Sequence, residues 1–283
     1  MPAIVRSLEE LQGIREAWRN ARETVALVPT MGSLHEGHKA LVTRATGEAD
    51  RCVVSIFVNP LQFSSDEGFD EYPRSLQADE AFLADTLVDV IFAPSVEVVY
   101  PEGLDAAVTH RAGPIGEMFE GASRPGHFDG VLTVVARLFE CVEPDVAVFG
   151  CKDAQQLFLV QQMVRDEQMP VHIVDVDTVR DSEGLALSSR NALLGEEAAH
   201  HALAIPEAVE AAAGAKDAHH ARLRAREVLD AAPGLTVDYV EVVDPTTFTL
   251  VDEGHTPQEV RLIVAVTVGG VRLIDNRLIH FGQ

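Results

Sequence analysis

Lysine is scarce in this chain: Lys39, Lys152 and Lys216 are the only three in 283 residues. All told, 22 Lys and Arg face 45 Asp and Glu, a formal net charge of −23. So acidic a surface repels polyanions and disfavours nucleic acid and acidic membranes as partners. An anionic small ligand must then be met by a local positive site built against the overall field, which makes the few basic groups informative. Cysteine is equally sparse. Cys52, Cys141 and Cys151 are an odd number, two of them beside or inside apolar runs, which favours a reducing compartment over a disulfide framework. The N-terminus lacks a basic segment followed by an uninterrupted apolar one, and no stretch reaches about 18 apolar residues. A soluble, cytoplasmic protein is the expectation. Repeats with a period of about 20 to 50 residues are missing too. So are the usual phosphate loops, G-x-x-x-x-G-K-[ST] and G-x-G-x-x-G after a strand. If ATP binds, it does not meet P-loop chemistry.

What the chain does contain is ample material for buried cores, 47% apolar residues with 24% charged. Its length predicts two domains. Short β-branched runs at 24–30, 51–60, 88–94, 144–150 and 171–177 read as buried strands. Helical-period segments at 38–49, 75–86, 128–141 and 154–168 alternate with them, which implies βαβ units and a parallel sheet with helices on both faces. Near residue 178 the pattern changes. Ala-rich helical segments at 196–213 and 217–231, expected as a solvated pair around Gly214, precede strand-like runs at 236–244 and 260–275, where "VGG" suggests a hairpin. The fold class is therefore α/β, a parallel sheet with a smaller α+β domain, divided as 1–178 and 179–283.

The chemistry concentrates at expected strand ends, where open parallel sheets bind ligands beside helix N-termini. "VPTMGSLHEGH" runs from a strand into a helix. His35 and His38, three apart, would share one face of its first turn, and free N–H groups with about half a positive charge suit a phosphate. Gly37 between them lets a flat ring approach the backbone, so the stretch describes a nucleotide site. Zinc competes, but His-Glu-Gly-His is one residue short of H-E-x-x-H, whose ligands stand four apart. Plain helix capping by both rings is the other alternative. Lys152 is expected on the turn after the 146–149 strand, with Asp153 a candidate N-cap. Gln155 and Gln156 follow, able to face the same crevice, and Asn59 and Gln62 stand at a third strand end, where a hydroxyl-bearing substrate could partner the amides. Asn59 could equally be a turn former. Ser188-Ser189-Arg190 suits a phosphate clamp. Together with His-x-Gly-His, it forms the two-part signature of adenylyl transfer.

The ordered set "VPTMGSLHEGH", "SIFVNPLQF", "YPRSLQADE", "FAPSVEVVYP", "EGASRPGHFDGV", "FGCKDAQQL", "LALSSRN" and "LIDNR" resembles the pantoate–β-alanine ligases, within the His-x-Gly-His nucleotidyltransferase superfamily. The resemblance spans nearly the whole chain; residues 195–235 carry little of it. It implies a Rossmann-like ATP- and pantoate-binding domain, a smaller C-terminal lid domain and a homodimer formed through the N-terminal domain. The implied activity joins (R)-pantoate to β-alanine, with ATP and Mg²⁺, through a pantoyl adenylate. Carried over by position, Pro29, Thr30, Met31, Gly32, Ser33, Leu34, His35, Glu36, Gly37 and His38 would contact ATP, with His38 as the family's acid. Gly150, Cys151, Lys152, Asp153, Val179, Leu187, Ser188, Ser189 and Arg190 would complete the nucleotide site. Gln62 and Gln156 would hold pantoate, with Asn59 as a neighbour and Gln62 also near β-alanine. Catalysis would fall to His35, His38, Lys152 and Arg190, and Asp79 is a possible carboxylate near Mg²⁺. Cys151 departs from the Glu usual in the family, and Ala154 from its aromatic, which bears on packing at the adenine more than on chemistry. Two alternatives stay open: a relative that adenylylates a phosphate monoester, which would want a second basic cluster in place of the amides, and a nucleotide sensor without catalysis.

Overall fold

The computed structural model describes all residues except 64–68, 70, 71, 73, 105, 106, 252–256 and 283. Pro73 of the "YPRSLQADE" motif lies outside the described residues. By its internal contacts the chain divides into two compact units. One comprises Met1–Gly150 with Gln155–Val176, the other Cys151–Ala154 with Asp177–Gln283. The short Lys152-bearing turn thus groups with the C-terminal residues, where a single cut at 178 would have left it with the first domain.

The first unit runs β1 (Ala3–Val5), α1 (Leu8–Ala21), β2 (Val25–Thr30), α2 (Glu36–Glu48), β3 (Arg51–Ile56), α3 (Leu76–Leu83), β4 (Val90–Phe92), α4 (Val96–Val99), α5 (Glu120–Ser123), α6 (His127–Val142), β5 (Val146–Gly150), α7 (Ala154–Asp166) and β6 (His172–Val176). The strands form one parallel sheet in the order β1-β4-β3-β2-β5-β6. The sequence patterns locate five of these strands and four of the helices. β1 escaped them because a three-residue strand has no measurable period; α1, opened by a capping box of Ser7 and Glu10, and the four-residue α4 and α5 were also not read as helical.

β2 is apolar throughout its buried run, Val25 to Val28 being fully inaccessible, as a strand covered on both faces must be. It pairs with β3 from Val25↔Arg51 to Thr30↔Ile56, and with β5 through Ala26↔Val146 and Leu27↔Ala147. The chain moves outward from β2 through β3 to β4 and then returns to β5 on the other side. The switch point therefore falls between β2 and β5, and the turns that follow Thr30 and Gly150 leave the same edge of the sheet.

The second unit adds α8 (Glu196–Ala202), α9 (Ala204–Ala213), α10 (Ala218–Ala231) and an antiparallel sheet of β7 (Leu235–Val243), β8 (Glu259–Val268) and β9 (Val271–His280). Gly269 and Gly270 turn β8 into β9 with φ of +56° and +79°, the two left-handed residues a tight hairpin requires. The Ala-rich pair is not solvated. Ala208, Ala212, Ala221 and Ala225 are fully buried with Ile205 and Leu229 against Val260, Leu262 and Val266 of the sheet. Small side chains allow the helices to approach one another and the strands closely, so the alanines are the core. Replacing Ala208 by Leu should therefore overpack this interface and cost about 1–3 kcal/mol in denaturant unfolding. A solvated helix face would tolerate the change within about 0.5 kcal/mol.

Candidate functional site

In the first unit the site begins where β2 ends. Thr30 donates its hydroxyl to the Ser55 carbonyl (2.7 Å) and accepts from the Gly32 N–H (3.2 Å), turning the chain out of the sheet. Gly32 has φ of +83°, and a Cβ there would lie 2.8 Å from Asp79 Oδ2 and 3.1 Å from Ile56 Cγ2, so any other residue would strain the backbone and displace these neighbours. Ser33 follows at φ of +53°. Asp79, buried in the first turn of α3, holds this left-handed turn by accepting from the Ser33 N–H (3.2 Å) and the Leu34 N–H (2.8 Å). Burial pushes the Asp79 carboxyl above its ordinary range, and the two N–H donors pull it partway back.

The turn delivers His35 as the N-cap of α2. His35 Nδ1 accepts from the Gly37 N–H and His38 Nδ1 accepts from the His35 N–H, each at 3.2 Å, a reciprocal capping box made of two imidazoles. Their ring centroids stand 4.1 Å apart. Capping and ligand binding are not exclusive here. With both Nδ1 atoms assigned as acceptors by these bonds, the neutral rings carry their protons on Nε2, and an Nε2–H is a donor suited to an anionic oxygen. Pro29 and Thr30 end β2, and Glu36 and Gly37 open α2, so the whole Pro29–His38 stretch is one strand–turn–helix junction.

After β3 the chain makes a single 3₁₀ turn, Pro60–Gln62. Gln62 Nε2 donates to Met31 Sδ (2.8 Å), which brings an expected pantoate contact against an expected nucleotide contact. Asn59 is 1% exposed and its amide is fully engaged by the protein. Its Nδ2 donates to Gln62 Oε1 (3.2 Å) and the Gly130 carbonyl (3.0 Å), while its Oδ1 accepts from the Leu61 N–H (3.2 Å) and the Tyr100 hydroxyl (2.8 Å). Asn59, expected beside the substrate, holds Gln62 through this amide contact. Burial raises the Tyr100 hydroxyl well above its ordinary range, which keeps it a donor. The Gln62 carbonyl accepts from His127 Nδ1 (2.9 Å) and Arg124 Nη2 (3.3 Å). At Gly130 a Cβ would lie 2.2 Å from the Leu61 carbonyl, so α6 can approach this turn only with glycine there.

Further along, Gly150 closes β5, and α7 carries Gln155 and Gln156 in its first turn. Gln155 is committed to structure. Its Nε2 donates to the carbonyls of Ile115 (2.7 Å) and Met118 (2.9 Å), and its Oε1 accepts from the Glu120 N–H (3.1 Å). That corrects its expected place in the crevice. Gln156 is half-buried beside it.

In the second unit, Lys152, Ser188, Arg190, Asn191, Arg272 and Asp275 line one cavity, which gathers three residues expected on the nucleotide. Lys152 Nζ stands 3.6 Å from Asp153 Oδ1. The Leu187 N–H donates to the Val179 carbonyl (2.9 Å), and Ser188 Oγ accepts from the Arg190 N–H (3.2 Å) to cap the 3₁₀ turn Ser189–Leu193. Cys151 is buried and is in no disulfide. Among the described residues no cluster of three or more His, Cys, Asp or Glu could hold a metal ion, and Asp79, expected near Mg²⁺, accepts from the Ser33 and Leu34 N–H groups. Tyr100, Arg124, His127 and Gly130 had no assigned role in the sequence, although the "FAPSVEVVYP" and "EGASRPGHFDGV" motifs contain them.

A sequence model described as Pantoate-beta-alanine ligase matches residues 3–278. The chain belongs to the pantoate-beta-alanine ligase family. Pantothenate synthetase of Acidothermus cellulolyticus is 49% identical over 282 residues, covering 97% of this chain and 91% of that one. The crystal structure of pantothenate synthetase from Thermus thermophilus superposes with a TM-score of 0.89 at 45% identity, over 97% and 98% of the two chains. That of the Francisella tularensis pantoate-beta-alanine ligase, complexed with beta-gamma ATP and beta-alanine, gives 0.80 at 33% identity over 98% of each. As a ligase of this family, the chain is an enzyme that joins pantoate to β-alanine.

The ligase should show the buried state of Asp79 in its pH dependence. A carboxyl raised above its ordinary 3.8 holds its proton longer in the folded state, so its contribution to stability is fullest below 3.8 and is lost as pH rises through the folded value. Denaturant unfolding of the parent and of Asp79→Asn across roughly pH 3 to 7 should give a parent-minus-variant difference that falls with rising pH from 3.8 upward. A flat difference would mean that burial does not control this carboxyl.

Proposed function

We propose that the ligation runs through a pantoyl adenylate. An oxygen of the pantoate carboxylate attacks the α-phosphorus of ATP, a P–O bond forms, and pyrophosphate leaves with the electrons of the broken anhydride. The β-alanine amine then attacks the activated acyl carbon, an amide forms, and AMP departs while the amine loses its proton. The observation that carries this is the reciprocal cap of His35 and His38 at the N-terminus of α2, directly after the central strand of the sheet. The ATP compound and β-alanine in the Francisella tularensis ligase support the same substrates here.

In the first unit, the α2 N-terminus and the two imidazoles, each a donor through Nε2–H, would meet phosphate oxygens, with Met31 to Leu34 and Gly150 along the nucleotide. Gln62 and Gln156 would bind the hydroxyls and carboxylate of pantoate. In the second unit, the candidate lid, Lys152 and Arg190 would oppose charge developing at the α-phosphate and pyrophosphate, with Ser188 and Ser189 as further donors and Cys151, Asp153, Val179 and Leu187 beside the nucleoside. Mg²⁺ is assigned to the substrate, held by phosphate oxygens and water, where it would neutralise charge on the leaving group. Three cysteines in no disulfide support a reducing, cytoplasmic location, and no helix among the described residues is long and apolar enough to cross a membrane. A homodimer formed through the first unit completes the proposal.

The reaction class can be tested without the second substrate. With ATP, Mg²⁺ and pantoate but no amine, the protein should exchange labelled pyrophosphate into ATP, and AMP should accumulate once β-alanine is added. Release of ADP would overturn the adenylate. Lys152→Ala should lower kcat by roughly 10²–10³-fold, about 2.7–4 kcal/mol, with a smaller effect on ATP binding, the scale for one donor acting on developing charge. Steady-state turnover within about threefold of the parent would make Lys152 a bystander. Cys151→Ser should stay active, since the thiol has no step to perform.

A further inference from the structure

The "LIDNR" segment has no role in the chemistry above, yet within the second unit it is joined to both segments that carry proposed nucleotide contacts. It lies on β9. Asp275, whose side chain is fully buried, receives Arg180 in a two-pronged pair, Nη1 to Oδ2 at 2.6 Å and Nη2 to Oδ1 at 2.9 Å. Arg180 Nη1 also donates to the Gly184 carbonyl (2.9 Å), which ties β9 to the loop leading into Ser188–Arg190. Next in the strand, Asn276 is 5% exposed, and its Nδ2 donates to two successive carbonyls, those of Cys151 (2.8 Å) and Lys152 (2.9 Å). Its Oδ1 accepts from Arg261 Nη1 (2.5 Å) of β8, and its N–H donates to Asp275 Oδ1 (2.7 Å). Every hydrogen-bonding atom of the amide is therefore spoken for, and its orientation is set from behind by a guanidinium, which can only donate.

We infer that Asn276 is a positioning residue for the ligation: its amide clasps the carbonyls of Cys151 and Lys152, which belong to the two peptide groups flanking the Lys152 Cα, and thereby fixes where the Lys152 ammonium stands. The inference rests on the proposed role of Lys152. A lysine is a flexible four-carbon stem carrying a point charge, so its placement depends on the backbone that bears it. Here that backbone is a single 3₁₀ turn, Cys151–Asp153, whose last carbonyls are not all met by helical N–H groups. Two bonds from one buried amide supply the missing constraint. The adjacent Asp275–Arg180 pair ties β9 to the Arg180–Gly184 loop, so two neighbouring residues of one strand hold two separate loops.

The test combines kinetics with a probe of Lys152 that does not depend on activity. Asn276→Ala should lower kcat by about 10- to 100-fold, the scale for a catalytic group misplaced by about 1 Å, and the near-isosteric Asn276→Asp, which offers no N–H, should behave alike. In a Lys152→Ala background, adding Asn276→Ala should change kcat by less than about twofold; losses that multiply would overturn the inference. With three lysines in the chain, acetylation by acetic anhydride followed by peptide mass spectrometry resolves each one. The rate at Lys152 should shift in Asn276→Ala while those at Lys39 and Lys216 do not, and an unchanged rate at Lys152 would overturn the inference even if kcat fell. Full activity of Lys152→Ala would instead remove the proposed role of Lys152, and the acetylation rate alone would then decide whether Asn276 places that side chain. Should Asn276→Ala lose its melting transition, Arg261→Met, which frees the amide from behind, takes its place with the same expected and overturning outcomes.

Discussion

The first unit depends on the pairing of β2 on both of its edges. A strand bonded to β3 on one side and β5 on the other is held in register by two ladders at once, because a slip of one residue would have to break and re-pair the hydrogen bonds on both edges together. The place where β2 stops is therefore fixed, and with it the left-handed turn at Gly32 and Ser33 and the first residue of α2. Asp79 then completes the junction from α3, holding two N–H groups that the turn would otherwise leave unmet. Rigid delivery of the histidine pair follows from backbone pairing several residues away. It does not depend on any bond the rings make to a ligand.

The second unit reaches a comparable rigidity by other means. Its antiparallel sheet presents β9 as a platform on which Asp275 and Asn276 hold two loops, and its helices are packed by alanines that permit close approach. An acidic chain gains in both units a way to concentrate positive character locally. Lys152, Arg190 and Arg272 line one cavity, and the buried Asp275 is satisfied by Arg180, so it is not an uncompensated negative charge within it. In the first unit the positive character comes from a helix N-terminus and imidazole N–H donors, which need no further basic residues.

Much of this was legible in the residues themselves. Buried parallel strands announce themselves as uninterrupted β-branched runs, and five of the six in the first unit could be placed that way; Ala3–Val5 is too short to show any pattern. The histidines, Lys152, Gln62 and the Ser188–Arg190 segment stood out because their residue types are rare or costly where they occur. Asn59 and Gln155 stood out for the same reason, but the structure assigns their amides to protein partners. A buried amide signals only that partners exist, and sequence does not say whether those partners belong to a ligand or to the fold. The Ala-rich helices were misjudged because alanine serves equally on a solvated face and in a tightly packed core.

The sequence by itself determined the alternation of strands and helices, the strand-end location of the histidine pair and the lack of a P-loop motif, since each depends on local composition and spacing. The tertiary structure alone decided that Asp79 braces a turn, that Tyr100, Arg124, His127 and Gly130 converge on the turn carrying Asn59 and Gln62, and that the Lys152 turn groups with residues far later in the chain. Those arrangements join distant residues through hydrogen bonds and close backbone approach. Such contacts leave no periodic trace, because they come into being only when the sheets and helices have packed.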